Sequence, residues 1–291
     1  MDLMLYLRIA SILAIAAVYM LFDIFNRRNV PSIFVYAALA YGIILAVAYA
    51  SLYSVLVDLG IAAVVFALGY AVYKAGQLGL GDVMEMCVIS LILPFQELPM
   101  LVPSYQYNIP FVIAVAMAAG VIALVIVPIY YLPHTKREFA EKITATVSKK
   151  DIFKSALIAT SYAILIGMLA MTHTISAYGV IIMSIIMLGS AFTILFERPI
   201  TKSMIRYVDA NEFEEGDIIA FNLMDASQID VMKVKVNSFG KLVTKEMINE
   251  MKANGVQDRL PVYKLGIPFA VPIFIAVLVS LLFGNLIILI L

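Results

Sequence analysis

An apolar segment near the N-terminus decides the fold, MLYLRIASILAIAAVYMLFDIFNRR at residues 4–28. Arg8 is the only charged residue of this segment before Asp23, and Arg27 and Arg28 come after Asp23. A helix needs about 20 mostly apolar residues to cross a hydrocarbon core that is about 30 Å thick. Because this stretch ends in an acid and a basic pair, without a small-residue cleavage site, we expect a retained membrane helix and no cleavable signal peptide.

The composition extends this expectation to the whole chain. Of its 291 residues, 63% are hydrophobic and 14% are charged, and the mean hydropathy is +1.00. Soluble domains are about 45–50% apolar and about 25% charged, so a soluble globular enzyme is excluded. Disorder is excluded too, because so much apolar surface cannot stay solvated. The net charge of zero argues against a nucleic-acid partner, which requires a basic patch.

Cysteine and histidine are scarce. Cys87 is the single cysteine, and the two histidines, His134 and His173, lie far apart in the sequence. A disulfide within the chain and a cysteine-based zinc site are therefore excluded, and a histidine-based metal site is not expected. We predict chemistry that uses neither a metal nor a cofactor.

Further stretches have the length and composition of membrane-spanning helices. We predict about eight in all, with both termini outside the cell. They lie near residues 4–22, 31–50, 55–73, 83–102, 110–132, 153–172, 175–196 and 265–291. The fourth is interrupted by acids and prolines, and the sixth and seventh meet at a tight turn.

The distribution of positive charge predicts the orientation of these helices. Every lysine and arginine except Arg8 lies within or at the edge of four segments on one side, 23–30, 74–82, 133–152 and 197–264. Lysine and arginine are retained on the cytoplasmic side of membrane proteins. We therefore expect these four segments in the cytoplasm of a multi-pass protein of the cell membrane.

The segment 198–264 is the one stretch of soluble composition. It is predicted to be a small cytoplasmic α+β insert, with short strands at 217–224 and 231–236 and a helix at 245–254. Thr244 is the expected N-cap of that helix, and Gly255 its stop. The expected domains are thus a membrane bundle at 1–197, the insert at 198–264 and the last spanning helix at 265–291.

Two acids are predicted at the same membrane depth. Asp23 ends the first helix and Asp82 begins the fourth, both on the predicted cytoplasmic side. Gly79 and Gly81 lack a Cβ and would let the two helices approach closely. The acids Asp58, Glu97 and Glu197 lie near other predicted helix ends, where interfacial solvation is the simpler explanation.

A close aspartate pair is the arrangement that aspartic proteolysis needs. Two carboxylates a few ångströms apart share one proton, so one can activate a water while the other donates to the developing oxyanion. Each aspartate alone could be a helix cap or an interfacial anchor. A matched pair, one of them in Gly-x-Gly-Asp at the start of a membrane helix, favours catalysis.

These residues resemble a family. Gly79-Leu80-Gly81-Asp82 looks like the GxGD motif of polytopic aspartic proteases. Asp23 with the basic pair behind it resembles the prepilin peptidases, and the segment 266–269 before the last helix resembles the archaeal type IV prepilin and preflagellin peptidases. The resemblance implies a cleaved class III signal peptide, a short basic leader in front of an apolar helix. It also implies an archaeal plasma membrane, a cytoplasmic active site and no methyltransferase module.

The sequence departs from that family at some positions. Glu85 stands where the family often has lysine. It could be a partner of Lys74 or Arg27, or it could bind basic residues of the substrate. The spacing from Asp23 to 30–31 is slightly longer than in the family. The resemblance therefore implies a catalytic role for Asp23 more directly than it implies substrate-binding roles for Arg27 and Arg28.

Two other interpretations stay open. Presenilin-like proteases also use GxGD, but they pair it with Tyr-Asp in a late helix and carry Pro-Ala-Leu in the last one, which this chain lacks. A proton- or cation-coupled transporter could use the carboxylates as binding sites. Such sites lie near the midplane between repeats, and no repeat is visible here.

Overall fold

The computed structural model describes residues 3–25, 30–49, 51–76, 78–95, 109–134, 147–209, 211–256, 259–263 and 269–290. The described chain is mostly helical with one two-stranded sheet. The helices are α1 Leu3–Phe25, α2 Ser32–Tyr49, α3 Leu52–Lys74, α4 Leu80–Ile92, α5 Phe111–His134, α6 Lys149–Met171, α7 Ala177–Met204, α8 Ala226–Lys235, α9 Lys245–Ala253, α10 Ala270–Phe283 and α11 Leu286–Ile290. The strands are β1 Ile205–Val208 and β2 Leu260–Tyr263.

Five of these helices are long and apolar enough to cross a membrane, namely α1, α3, α5, α6 and α7. The predicted count of eight is therefore confirmed only in part. Of the other three predicted spans, α2 and α10 are shorter apolar helices, and α4 has 13 residues. The reasons are local. Pro94 follows the end of α4 and cannot donate a helical hydrogen bond, and Gly284, at φ 83°, separates α10 from α11.

Helix α4 lies at the centre of the membrane bundle. It packs against α1, α2, α3 and α5, while α10 packs against α1 and α5. Apolar side chains from α1, α2, α4, α5 and α10 form one continuous buried core. Helices α6 and α7 pair with each other, and α7 joins them to α5. The end of α1 and the starts of α4 and α10 are held together by this packing.

A glycine sets the distance between α3 and α4. A Cβ added at Gly69 would lie 2.6 Å from Cγ1 of Val83, with the other atoms of that side chain at 3.1 and 3.3 Å. All three valine carbons are close, so rotation of its stiff side chain would bring no relief. Val83 directly follows Asp82, and Gly69 therefore fixes the position of the start of α4.

We expect Gly69→Ala to lower the free energy of unfolding by about 1–3 kcal/mol, because overpacking forces side chains and backbone to shift. Gly60 in the same helix is the matched control, since an added Cβ there meets nothing within 4 Å. Gly60→Ala should be neutral or should stabilise the helix by about 0.5–1 kcal/mol. Thermal unfolding of both variants in one detergent measures the difference. Equal midpoints would contradict the close contact.

The segment after α7 forms the small sheet and its helices around a core of its own. Strands β1 and β2 are antiparallel, with Ile205 opposite Tyr263. Helix α7 continues to Met204, beyond the predicted boundary at 197. The predicted helix at 245–254 is α9, in which Thr244 accepts a hydrogen bond from the Met247 N–H at 3.2 Å.

The strand predictions in this segment are corrected by the structure. Residues 231–235 belong to α8, at whose start the Asp225 N–H donates a hydrogen bond of 3.2 Å to Oε1 of Gln228. Met232 in this helix and Val236, the residue that follows its end, are both buried. In 217–224, Ile218 and Ile219 make only isolated bridges, and a single 3₁₀ turn follows. The β-branched content suggested strands, but the capping residues and the buried face select a helix.

Candidate active site

Asp23 lies near the end of α1 and is buried, with 8% of its surface exposed. Its Oδ2 accepts a hydrogen bond of 3.1 Å from the backbone N–H of Ala270, the first residue of α10. The first N–H groups of a helix have no partner within the helix and carry partial positive charge, so they stabilise a carboxylate. The start of α10 therefore orients Asp23.

Asp82 lies in the first turn of α4 and is partly exposed. Its Oδ2 accepts a hydrogen bond of 3.1 Å from the backbone N–H of Gly79, the N-cap residue of the helix. The capping role that explains many lone aspartates is thus present here. Each of the two aspartates is held through one oxygen by a backbone N–H at the start of a helix.

The structure brings the two aspartates together. Helices α1 and α4 contact each other, and the carboxyl groups of Asp23 and Asp82 are close enough to interact electrostatically. Like charges at short range disfavour the simultaneous ionisation of two carboxyl groups. Asp23 and Asp82 are called the aspartate pair below.

The two motif glycines differ in what they contribute. A Cβ added at Gly79 would lie 3.0 Å from Oδ2 of Asp82. One added at Gly81 would lie 3.7 Å from Cγ2 of Val30, an ordinary contact distance. The observed position of the Asp82 carboxyl therefore requires that residue 79 has no Cβ, whereas residue 81 could carry one.

Glu85 lies behind the aspartate pair on α4. It has no exposed surface, and neither of its oxygens hydrogen-bonds to a described residue. It interacts electrostatically with Asp82 and Asp23. Lys74, one of its expected partners, instead lies over the ring of Tyr70, at 5.4 Å from the ring centroid. In this conformation Glu85 is closed off from solvent, and its contact with a basic leader stays a prediction.

Arg27 and Arg28, the other expected substrate contacts, lie outside the described residues, as do Glu97 and 266–268. Glu197 is exposed on α7. Asp58 is buried on α3 and interacts with Arg8 of α1. It lies about 24 Å along the helix from Lys74, at about 1.5 Å per residue.

Two groups beside the aspartate pair were not predicted from the sequence. One is the Ala270 N–H, for which the only signal was the distinctive segment in front of α10. The other is Tyr19, one helical turn before Asp23, which is fully buried with a hydroxyl that bonds no described residue. Its spacing of four residues from Asp23 places both on one face of α1.

The segment after α7 also contacts the chain shortly before the site. Lys241 donates a hydrogen bond of 2.9 Å from Nζ to the carbonyl oxygen of Ala75. A Cβ at neighbouring Gly76 would lie 3.5 Å from Cδ1 of Ile218. These contacts hold the turn between α3 and α4, a few residues before Gly79. Among the described residues, no three histidine, cysteine or acidic side chains are grouped to hold a metal ion.

Comparison with protein families gives one match. Residues 9–128 match the Type IV leader peptidase family. The matched stretch runs from α1 into α5 and contains Asp23, Gly79, Gly81, Asp82 and Glu85. This confirms the resemblance to prepilin peptidases for this part of the chain, whereas the archaeal origin stays a prediction. No curated protein and no solved structure matches the chain.

Proposed function

We propose that this chain, with residues 9–128 matching the Type IV leader peptidase family, is a membrane aspartic endopeptidase. It removes the short basic leader from prepilin-like or preflagellin-like proteins. One observation carries the proposal: within the matched stretch, two aspartates interact across a helix contact, and a backbone N–H at a helix start orients each of them.

The aspartate pair can perform the whole hydrolysis. The ionised member takes a proton from water, and the water oxygen forms a bond to the scissile carbonyl carbon. The protonated member donates its proton to the carbonyl oxygen, which neutralises the developing charge. When the C–N bond breaks, the aspartate that took the water's proton gives it to the leaving nitrogen. A hydroxyl of the diol returns its proton to the other aspartate as the new carboxyl group forms. Both aspartates thus end in their starting states.

The place of the site at the ends of helices supports this substrate class. A leader peptide is cut where the apolar helix of its substrate enters the bilayer, and Asp23 ends α1 while Asp82 begins α4. We assign this end of the bundle to the cytoplasmic face, because it carries the basic segments. The single cysteine cannot form a four-cysteine module, which favours cleavage without N-methylation.

The transporter and presenilin-like alternatives receive less support. A transporter would hold its carboxylates near the bilayer midplane, at broken helices between repeats. Here the carboxyl groups of the aspartate pair lie at the ends of helices. A presenilin-like protease would cut within the apolar helix of its substrate and would leave a shortened membrane fragment. Leader peptidase cleavage instead leaves that helix whole.

Co-expression with a set of prepilin-like substrates tests the proposal. We expect a mobility shift that corresponds to leader loss, with mass spectrometry placing the new N-terminus at the start of the apolar helix. A substrate with its basic leader residues replaced by acidic ones serves as the matched control. Absence of cleavage for every substrate, with folded enzyme in the membrane, would contradict the proposal.

The proposed topology has its own test. In a Cys87→Ala background, a cysteine at Thr174, in the exposed turn between α6 and α7, should react with a membrane-impermeant reagent in intact cells. A cysteine at exposed Ser227 should react only after the cells are opened. The reverse pattern would place the aspartate pair on the outer face.

A further inference from the structure

The mechanism above leaves one buried acid unused. Glu85 is fully buried, and no described residue hydrogen-bonds to its carboxyl group. It follows Asp82 by three residues, so both project from nearly the same side of α4. Its carboxyl interacts with Asp82 and Asp23 and with the buried hydroxyl of Tyr19 on α1.

No described cation faces Glu85. The charged residues of α3 are engaged elsewhere, Asp58 with Arg8 and Lys74 with the ring of Tyr70. Helix α2 carries no charged residue, and neither does α5 apart from its terminal histidine. Among the described residues, the groups that act on Glu85 are thus acids and a phenol.

An ionised carboxylate in this position would be costly. Burial of an unpaired charge costs several kcal/mol even after the protein relaxes, and two neighbouring acids of the same sign add repulsion. A neutral carboxylic acid avoids both costs. It also carries an O–H group, and therefore a hydrogen-bond donor, which a carboxylate lacks.

We propose that Glu85 is a positioning residue of the aspartate pair. It stays a neutral carboxylic acid, and its O–H donates a hydrogen bond to the ionised aspartate during turnover. Catalytic hydrogen bonds often tighten only in the substrate complex, which is when the position of the ionised aspartate matters most. The effect on turnover rests on the proposed peptidase function, whereas the neutral state of Glu85 follows from its surroundings alone.

Two variants separate this role from others. Glu85→Gln keeps the size of the side chain and an N–H donor, so kcat should stay within about threefold of wild type with an unchanged pH profile. Glu85→Leu gives an apolar side chain of broadly similar size that has no donor, so kcat should fall at least about tenfold with KM nearly constant, in line with the loss of one preorganised donor. Ser90→Ala is the control, because Ser90 is equally buried on α4 and donates only to the Cys87 carbonyl.

The kinetic outcomes decide as follows. Wild-type kcat in Glu85→Leu would overturn the proposal. So would a Glu85→Gln variant that is inactive or has a displaced pH profile, because the carboxyl would then have to titrate. If Ser90→Ala also loses activity, then α4 tolerates no substitution of a buried residue. That result would overturn the positioning role of Glu85.

Infrared spectroscopy provides a readout that needs no substrate and no Glu85→Leu protein. At neutral pH the wild-type enzyme should show a carboxylic-acid C=O stretch that persists in Asp23→Asn and Asp82→Asn and disappears in Glu85→Gln. A spectrum without that difference would overturn the neutral state. If the enzyme cleaves no leader but the band behaves as expected, the peptidase proposal fails and the assignment of a neutral Glu85 stands.

Discussion

Asp23→Asn and Asp82→Asn should each reduce leader cleavage by about 10⁴-fold, the upper end of what a single acid–base group contributes. An amide neither accepts the proton of the attacking water nor donates one to the oxyanion. Because the two aspartates act as one unit, the double variant should be no worse than either single variant. A gel-shift cleavage assay on purified protein with a matched substrate measures all three.

These variants should still fold. The side-chain oxygen of asparagine can accept the same backbone hydrogen bonds, from Ala270 in one case and from Gly79 in the other. Removal of a buried negative charge also lowers a desolvation cost. The activity loss would therefore report on chemistry and not on the helix packing.

Asp58→Asn is the matched control, since Asp58 is also a buried helix acid but interacts with Arg8 far from the aspartate pair. It should keep most of the wild-type activity. If Asp58→Asn loses as much activity as Asp23→Asn, the loss reflects a general need for buried acids in the active fold and is no evidence for catalysis by Asp23. If either aspartate variant cleaves at the wild-type rate, the aspartic mechanism is wrong and the transporter interpretation regains support.

The sequence predicted those features that depend on residues close together in the chain, such as helix ends and caps. Asp23 and Asp82 lie near helix ends as predicted, and Thr244 and the glycine after the helix set the limits of α9. By contrast, Asp23 and Ala270 are 247 positions apart, and no local pattern indicates that a helix start would meet that carboxyl. Contacts of this kind depend on how α1, α4 and α10 pack.

The burial of a side chain also could not be predicted from local sequence patterns. The sequence shows Glu85 as an acid one turn into a helix, where an exposed residue that attracts a basic leader is a reasonable prediction. In the structure α1, α2, α3 and α5 surround α4 and leave Glu85 without exposed surface. The same packing makes α4 viable at 13 residues, because most of its side chains contact protein.

Gly79, the first glycine of the motif, should not tolerate even the methyl side chain of alanine without a loss of activity. In Gly79→Ala the new Cβ would meet Oδ2 of Asp82 at 3.0 Å, closer than a carbon and an oxygen normally approach without a hydrogen bond. The carboxyl would have to shift by a few tenths of an ångström and would weaken its bond to the Gly79 N–H. Misplacement of a catalytic group by about 1 Å can cost about 10²-fold, so we expect kcat to fall about tenfold.

Gly81→Ala separates this effect from any general need for glycine. Its Cβ would lie 3.7 Å from Val30, and alanine favours the helix that Gly81 occupies by about 0.5–1 kcal/mol. Activity should therefore stay within about threefold, with equal or higher thermal stability. Steady-state cleavage kinetics and unfolding midpoints of the two variants should rank Gly81→Ala above Gly79→Ala in both respects. Equal losses in the two would show that the motif requires backbone freedom instead of space beside the Asp82 carboxyl.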